Sequence, residues 1–245
     1  MADNRKINHL KESLKSLRWL ATFLFLFERV MMKGNNGTKL NEYIKVVVKE
    51  FENFKKNLCD KSILVVYRDK ETKELDYFTI SILGSNYYHL TGLAYKDDDG
   101  EKDSSNHFGS KFYQNLSNKK LSADNLKIKD SNTALKIKAL PYITQFYAYS
   151  KMTGPFNGNG FKLRLDKVIG NPNICLGLRK IGKKEYAPAS SLYSDTRDYA
   201  KIINQVVAVF VKNKVEASYS EPTYTAKGFD IDTIENDEIL KLIKK

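Results

Sequence analysis

The chain has 245 residues, enough for one large domain or one domain with a helical extension. Its formal charge is +12, which points to a polyanionic partner, nucleic acid ahead of an anionic membrane surface. The two cysteines, Cys59 and Cys175, are far apart and lack metal-ligand spacing, which argues against a disulfide framework and makes a reducing cytoplasm the expected location.

Leu10, Leu14, Leu17, Ala21, Leu24 and Met31 recur at three- and four-residue spacing, one face of a helix. Within it Trp19–Phe27 is the most apolar stretch, but a bilayer span needs about 20 apolar residues. It also lies late for a signal peptide, and Glu28-Arg29 follows where small cleavage-site residues would stand. A buried helix is expected, with no membrane role. Residues 33–38 form a turn, and Leu40, Tyr43, Ile44, Val47, Phe51, Phe54 and Leu58 predict a second, antiparallel helix. Then the period changes. Ile63–Tyr67 and Leu75–Leu83 are β-rich runs joined by a charged turn, a hairpin. Residues 86–93, NYYHLTGL, follow directly. Asp97–Asn106 is a polar loop without the alternating ligands of a calcium site.

Phe108–Leu126 is expected to be helical in part, broken at Asn118–Ser122. Asn132 or Thr133 starts a helix through Leu135, Leu140, Ile143 and Tyr147 that Pro141 weakens. The glycines of GPFNGNG (154–160) fit neither phosphate-binding spacing, so a hairpin loop is expected. Phe161, Leu163 and Leu165 alternate with charged residues as a half-buried strand, and Ile174–Ile181 forms the next. On its one face Cys175 and Gly177 beside Arg179 leave room for a ligand or for a close-packed neighbour. A short helix over Asp195–Asn204, a strand over the VVAVFV run with Val215–Thr225 beside it, and a C-terminal helix from Asp230 complete the chain. The fold class expected is α+β: an N-terminal helical hairpin packed on the core (1–58), a mostly antiparallel β-sheet domain with packed helices (59–229) and a C-terminal helix (230–245).

Two stretches carry candidate chemistry. If residues 86–92 are extended, Tyr87, His89 and Thr91 share a face, with Gly92 relieving the backbone. Histidine moves protons near neutral pH, although a buried histidine bonded to backbone fits the same letters. Further on, Arg179 and Lys180 precede Ser190 and Ser191, and cations near hydroxyls suit a phosphate. A solvated basic hairpin is the plainer use of that charge. His89 and His107 have no paired spacing and neither cysteine is flanked by a histidine, so no metal site, cofactor or thiol nucleophile is expected.

His89-Leu-Thr-Gly92 after a β-hairpin, Lys120-Leu-Ser122, and Pro188-Ala-Ser190 together resemble the phage-associated group of Barnase–EndoU–colicin–RelE-like (BECR) nucleases. The likeness spans residues 60–225. Ser191 stands where a bulky apolar residue is expected. The resemblance implies a small α+β domain and metal-independent RNA cleavage, as a toxin or effector of a phage or mobile genetic element. On that basis His89 transfers a proton, Arg179 or Lys180 stabilises charge at phosphorus, and Thr91 and Ser190 position the phosphate. Tyr87 or Tyr193 stacks a base, with Lys120 and Ser191 also touching the nucleic acid. The rival expectation is a non-catalytic nucleic-acid-binding or host-interaction protein, with the N-terminal helices as a surface for a protein partner or a second copy. A weaker one, ADP-ribosyl transfer, would need Glu185 in a nucleotide cleft.

Overall fold

The computed structural model describes residues 37–97, 102–159 and 164–243, with backbone alone for 102–106. The first expected helix, with Trp19–Phe27, lies outside them. Residues 37–57 are helical (α1), including Gly37 and Thr38 of the expected turn. The chain divides into two compact units between residues 44 and 45, and the larger, 45–245, holds the rest of α1 and every later element.

β1 (Lys61–Arg68) and β2 (Leu75–Ser81) form the expected antiparallel hairpin, Val65 opposite Phe78. β1 is central rather than an edge, because its other side pairs antiparallel with β9 (Asn204–Asn213), Lys61 opposite Asn213. From β2 the sheet continues through β8 (Glu185–Leu192), β7 (Cys175–Lys180), β6 (Lys167–Gly170) and β5 (Met152–Pro155) to β9, and the β1–β9 ladder closes it. β10 (Pro222–Thr225) attaches to β9. The sheet, expected to be mostly antiparallel, is a mixed one: β2 and β8 run parallel, with Thr79 opposite Glu185. β3 (Leu93–Tyr95) and β4 (Leu126–Ile128) pair separately.

Three helices lie between hairpin and barrel strands in sequence. They are α2 (Asn86–Thr91), α3 (Lys102–Ser117) and α4 (Thr133–Ile143), and a single turn, α5 (Phe146–Tyr149), follows. α3 ends before Asn118, and Lys119 adopts a left-handed φ of 55°, the break read from the sequence. α4 starts at Thr133 and continues two residues past Pro141, which has no N–H to offer the carbonyl of Ile137.

Several expectations are corrected. Residues 86–91 are helical, not extended. Tyr87, Tyr88 and Leu90 are all buried, and a helix buried on several sides shows no amphipathic period to announce it. Of the strand expected over 161–165, residues 161–163 lie outside the described residues, and among those that follow the next strand is β6, from Lys167. Asp195–Asn204 holds one 3-10 turn, Thr196–Asp198, because the Asp195 carboxylate caps the Arg197 N–H and the chain then enters β9. The C-terminal helix is a single turn, α6 (Asp237–Leu240), capped by Asn236. The room above Gly177 is taken by a neighbour: a Cβ there would stand 2.4 Å from Leu165 Cδ1.

The C-terminal segment covers one face of the barrel. Leu64, Val66, Ala208 and Phe210 pack with Tyr219, Ala226, Ile234 and Ile239. Asn236 Nδ2 donates to Leu75 O at 3.2 Å, and Lys184 Nζ bridges Asp76 and Glu238 at 2.8 and 3.0 Å. Leu64→Ala, at the centre of this layer, is expected to lose about 2–5 kcal/mol of stability. Val215→Ala, at a side chain 95% exposed, should stay within about 0.5 kcal/mol of wild type. Equilibrium denaturation of the two variants checks both.

Candidate functional site

α2 is held from three directions. The Tyr87 ring lies 5.5 Å from Phe51 and 4.6 Å from Phe54 of α1, and its hydroxyl donates to Val47 O at 2.7 Å. The Tyr88 ring lies 5.2 Å from Phe112 of α3, and its hydroxyl accepts from Tyr95 N at 3.1 Å. On the β8 side, Asn86 Nδ2 donates to Pro188 O at 3.4 Å and Ser191 Oγ donates to Leu90 O at 3.2 Å. α2 therefore runs alongside β8, its start near Pro188 and its end near Ser191. Gly92 ends the helix in the left-handed region, φ 70°. A Cβ at Gly92 would stand 3.0 Å from Thr133 Cα and 2.9 Å from Lys136 Cδ, so both conformation and space require glycine. Thr133 Oγ1 of α4 donates to Gly92 O at 2.8 Å and locks the turn.

Within Tyr87–Thr91 every side chain is buried except that of His89, which is half-buried. Its ring lies 5.5 Å from that of Tyr88. Lys136 of α4 donates from Nζ to the His89 carbonyl at 3.4 Å. This lysine is 6% exposed, and burial pulls its pKa down to about 8, with Asp130 acting to raise it and Lys129 to lower it. A lysine at a helix C-terminus serves an orphan carbonyl and opposes the dipole. A lysine with a pKa near 8 is also suited to proton transfer at neutral pH.

A second buried lysine shows the structural alternative. Lys167 Nζ sits over the rings of Tyr67, Phe78 and Tyr186 at 5.1, 4.8 and 5.6 Å. Those faces stabilise its charge away from α2. Burial lowers its pKa, with Asp76 and Asp69 acting to raise it.

The other expected site residues divide. Ser191 touches α2 directly. Ser190 is buried opposite Gly177. Thr91 is buried, its hydroxyl donating to Tyr88 O at 2.9 Å and accepting from Leu93 N at 3.2 Å, so it is committed to the end of the helix. Tyr87 has its ring against Phe51 and Phe54 and offers no free face to a base; this expectation is corrected by its packing. Arg179 and Lys180 are exposed at the end of β7, opposite Ala187 and Tyr186, one and two residues beyond the Pro188 that Asn86 contacts. Lys120 is exposed past the end of α3. Tyr193 follows β8, half-buried, its ring 5.7 Å from Tyr142 and 4.1 Å from Lys138 Nζ. His107 is exposed on α3, and His9 lies outside the described residues.

Lys136 was missed by sequence reasoning. Its signal was present: it lies four residues before Leu140 and seven before Ile143, a lysine on the apolar stripe of α4. Among the described residues no group of three or more His, Cys, Asp or Glu stands together as a metal site, and no helix is long and apolar enough to cross a membrane.

Residues 47–228 match the family model described as phage-Barnase-EndoU-ColicinE5/D-RelE like nuclease 4. The match covers α2, α4 and β8. No curated protein and no solved structure matches the chain.

The Lys136 shift carries a pH signature. The folded pKa is depressed from the ordinary 10.5, so the buried charge destabilises the fold below about pH 8. Between about 8 and 10.5 the folded protein gives up a proton that the unfolded chain keeps, and this contribution to stability rises with pH. Lys136→Met is expected to unfold at or above the wild-type temperature at pH 7, with the difference shrinking by pH 9.5. Thermal unfolding of both proteins at the two pH values checks it.

Proposed function

The chain belongs to the phage-Barnase-EndoU-ColicinE5/D-RelE like nucleases, and from that premise we propose that it is an RNA endonuclease that cuts without a metal ion, working at His89 and Lys136. The observation that carries the proposal is the contrast within α2. The neighbours of His89 are buried and pinned, while its own imidazole reaches the surface and its carbonyl accepts from a buried amine.

Cleavage of RNA by its own 2′-OH needs a base for that proton, an acid for the leaving 5′ oxygen and cations for the charge gathering at phosphorus. His89 takes the 2′-OH proton. The Lys136 ammonium, whose pKa is about 8, supplies the acid and part of the positive charge. Arg179 and Lys180, exposed on the neighbouring strand, add charge for the phosphate backbone. Thr91 and Ser191 hold α2 in place, a positioning role, and Ser190 lies behind them in β8. The substrate is met by a basic surface, in keeping with the +12 charge. A family of nucleases that includes phage-borne members supports a role as a toxin or effector of a phage or mobile element.

Two experiments test the reading. Purified protein incubated with total RNA in EDTA should cut it, and His89→Ala should lower the rate by about 10²–10⁴-fold. Cleavage that survives the substitution, or that chelation abolishes in the wild type, would overturn the mechanism. Binding of RNA that weakens with salt but yields no product would favour the non-catalytic alternative. Second, activity should fall as pH rises through about 8, where the Lys136 ammonium loses its proton. That descending limb should disappear in Lys136→Gln, whose residual activity no longer depends on the amine.

A further inference from the structure

Next to the proposed cutting site, on the same helix, lies a groove of about 530 Å³. It is bounded by the end of α4, by α5 and by the turn between β6 and β7, and Tyr142, Tyr149, Tyr193, Gln145 and Lys151 line it. Tyr142 and Tyr149 are 49% and 50% exposed, unusual for rings this large on a surface otherwise rich in charge. The volume falls in the range of about 300–1,000 Å³ usual for a small-ligand site.

The geometry points to this groove as a binding site for unpaired bases of the strand that the site cuts, an inference that rests on the nuclease reading. Three features converge. The first is aromatic: Tyr142 and Tyr193 stand 5.7 Å apart, centroid to centroid, at 49°, and Tyr149 adds a third ring, so at least two faces are open to a flat ligand. The second is charge: Lys138 Nζ lies 4.1 Å over the Tyr193 ring and Lys151 lines the groove, cations suited to the phosphates between stacked bases. An apolar protein partner would leave both lysines to be desolvated without return.

The third feature is rigidity. Asn171 Oδ1 accepts from Asn173 N and Ile174 N at 2.8 and 3.1 Å, and its Nδ2 donates to Tyr149 O at 3.2 Å. The backbone behind Tyr149 is therefore tied to the β6–β7 turn, and Pro141 and Pro172 stiffen the two walls. Rings presented from a fixed frame lose little freedom on binding. Duplex bases have no free faces, so the ligand is an unpaired strand. Lys136 and Tyr142 are six residues apart on α4, about 9 Å along its axis. A base seated on Tyr142 thus leaves its backbone beside the helix that carries the Lys136 amine.

The test measures binding with cutting blocked. Fluorescence anisotropy of full-length protein is followed with a labelled 2′-O-methyl RNA strand, which lacks the attacking hydroxyl, with a DNA strand of the same sequence, and with a duplex. Tyr142→Ala and Tyr149→Ala should each raise Kd for the single strands by about 5–100-fold. Tyr142→Phe and Tyr149→Phe, which keep the ring face, should stay within about twofold of wild type by the same stacking argument. The DNA strand should show the same Ala losses, because a ring face does not read the sugar. Unchanged Kd in both Ala variants, equal losses in Ala and Phe variants, or Ala losses seen only with the duplex would overturn the inference. Strand binding with these Tyr effects but no cleavage of ordinary RNA counts against the nuclease reading alone. Cleavage by a protein whose Ala variants bind as wild type counts against the groove alone.

Discussion

A helix of six residues cannot sustain itself in water, since nucleation is costly and fewer than two turns share the cost. α2 exists because its surroundings fix both ends and most of its surface. Two tyrosines anchor it, each using its ring and its hydroxyl: Tyr87 against Phe54 and Val47 O, both of α1, and Tyr88 between α3 and Tyr95 N. Gly92 turns the chain where no other residue fits, and Ser191 reaches from β8 to the last turn. Everything proposed for His89 depends on this seating. The imidazole is placed by the immobility of the residues on either side of it.

The same packing explains why a buried amine is tolerated. The last carbonyls of α2 take side-chain donors, Thr91 for Tyr88 O, Ser191 for Leu90 O and Lys136 for His89 O. Isolation from water lowers the amine's hold on its proton, while the carbonyl dipole keeps the cation from being wholly uncompensated. Lys167 solves the same problem with three aromatic faces. The two lysines show that burial alone does not make a catalytic candidate; the adjoining histidine distinguishes Lys136.

Local pattern carried the fold wherever one face of an element is buried. The hairpin β1–β2, the start of α4 at Thr133, the break after α3 and the strand β9 could all be read from period and turn residues. α2 could not, because burial of Tyr87, Tyr88, Leu90 and Thr91 together erases the period that a helix or strand leaves in sequence. The closure of the sheet was also invisible. It is a pairing of Lys61 with Asn213 and of Thr79 with Glu185, and nothing local encodes either. At the site, His89 was singled out by its motif, whereas Ser191, expected to touch nucleic acid, bonds the last turn of α2 instead. Lys136 was legible only as an anomaly on an apolar stripe, and Thr91 looked like a ligand group because a helix-ending hydroxyl and a phosphate-binding hydroxyl are the same letter.

The parallel ladder between β2 and β8 has a bearing on when the site exists. β2 and α2 leave the ribosome early, but the strand on which α2 lies ends at Leu192, and the strand that closes the barrel ends at Asn213. Contacts so far apart in sequence form late, after their loop entropy has been met. A growing chain therefore carries His89, and then Lys136, before the strand that aligns α2 has been made. The groups proposed to cut RNA are thus kept from their seat until β8 has been translated.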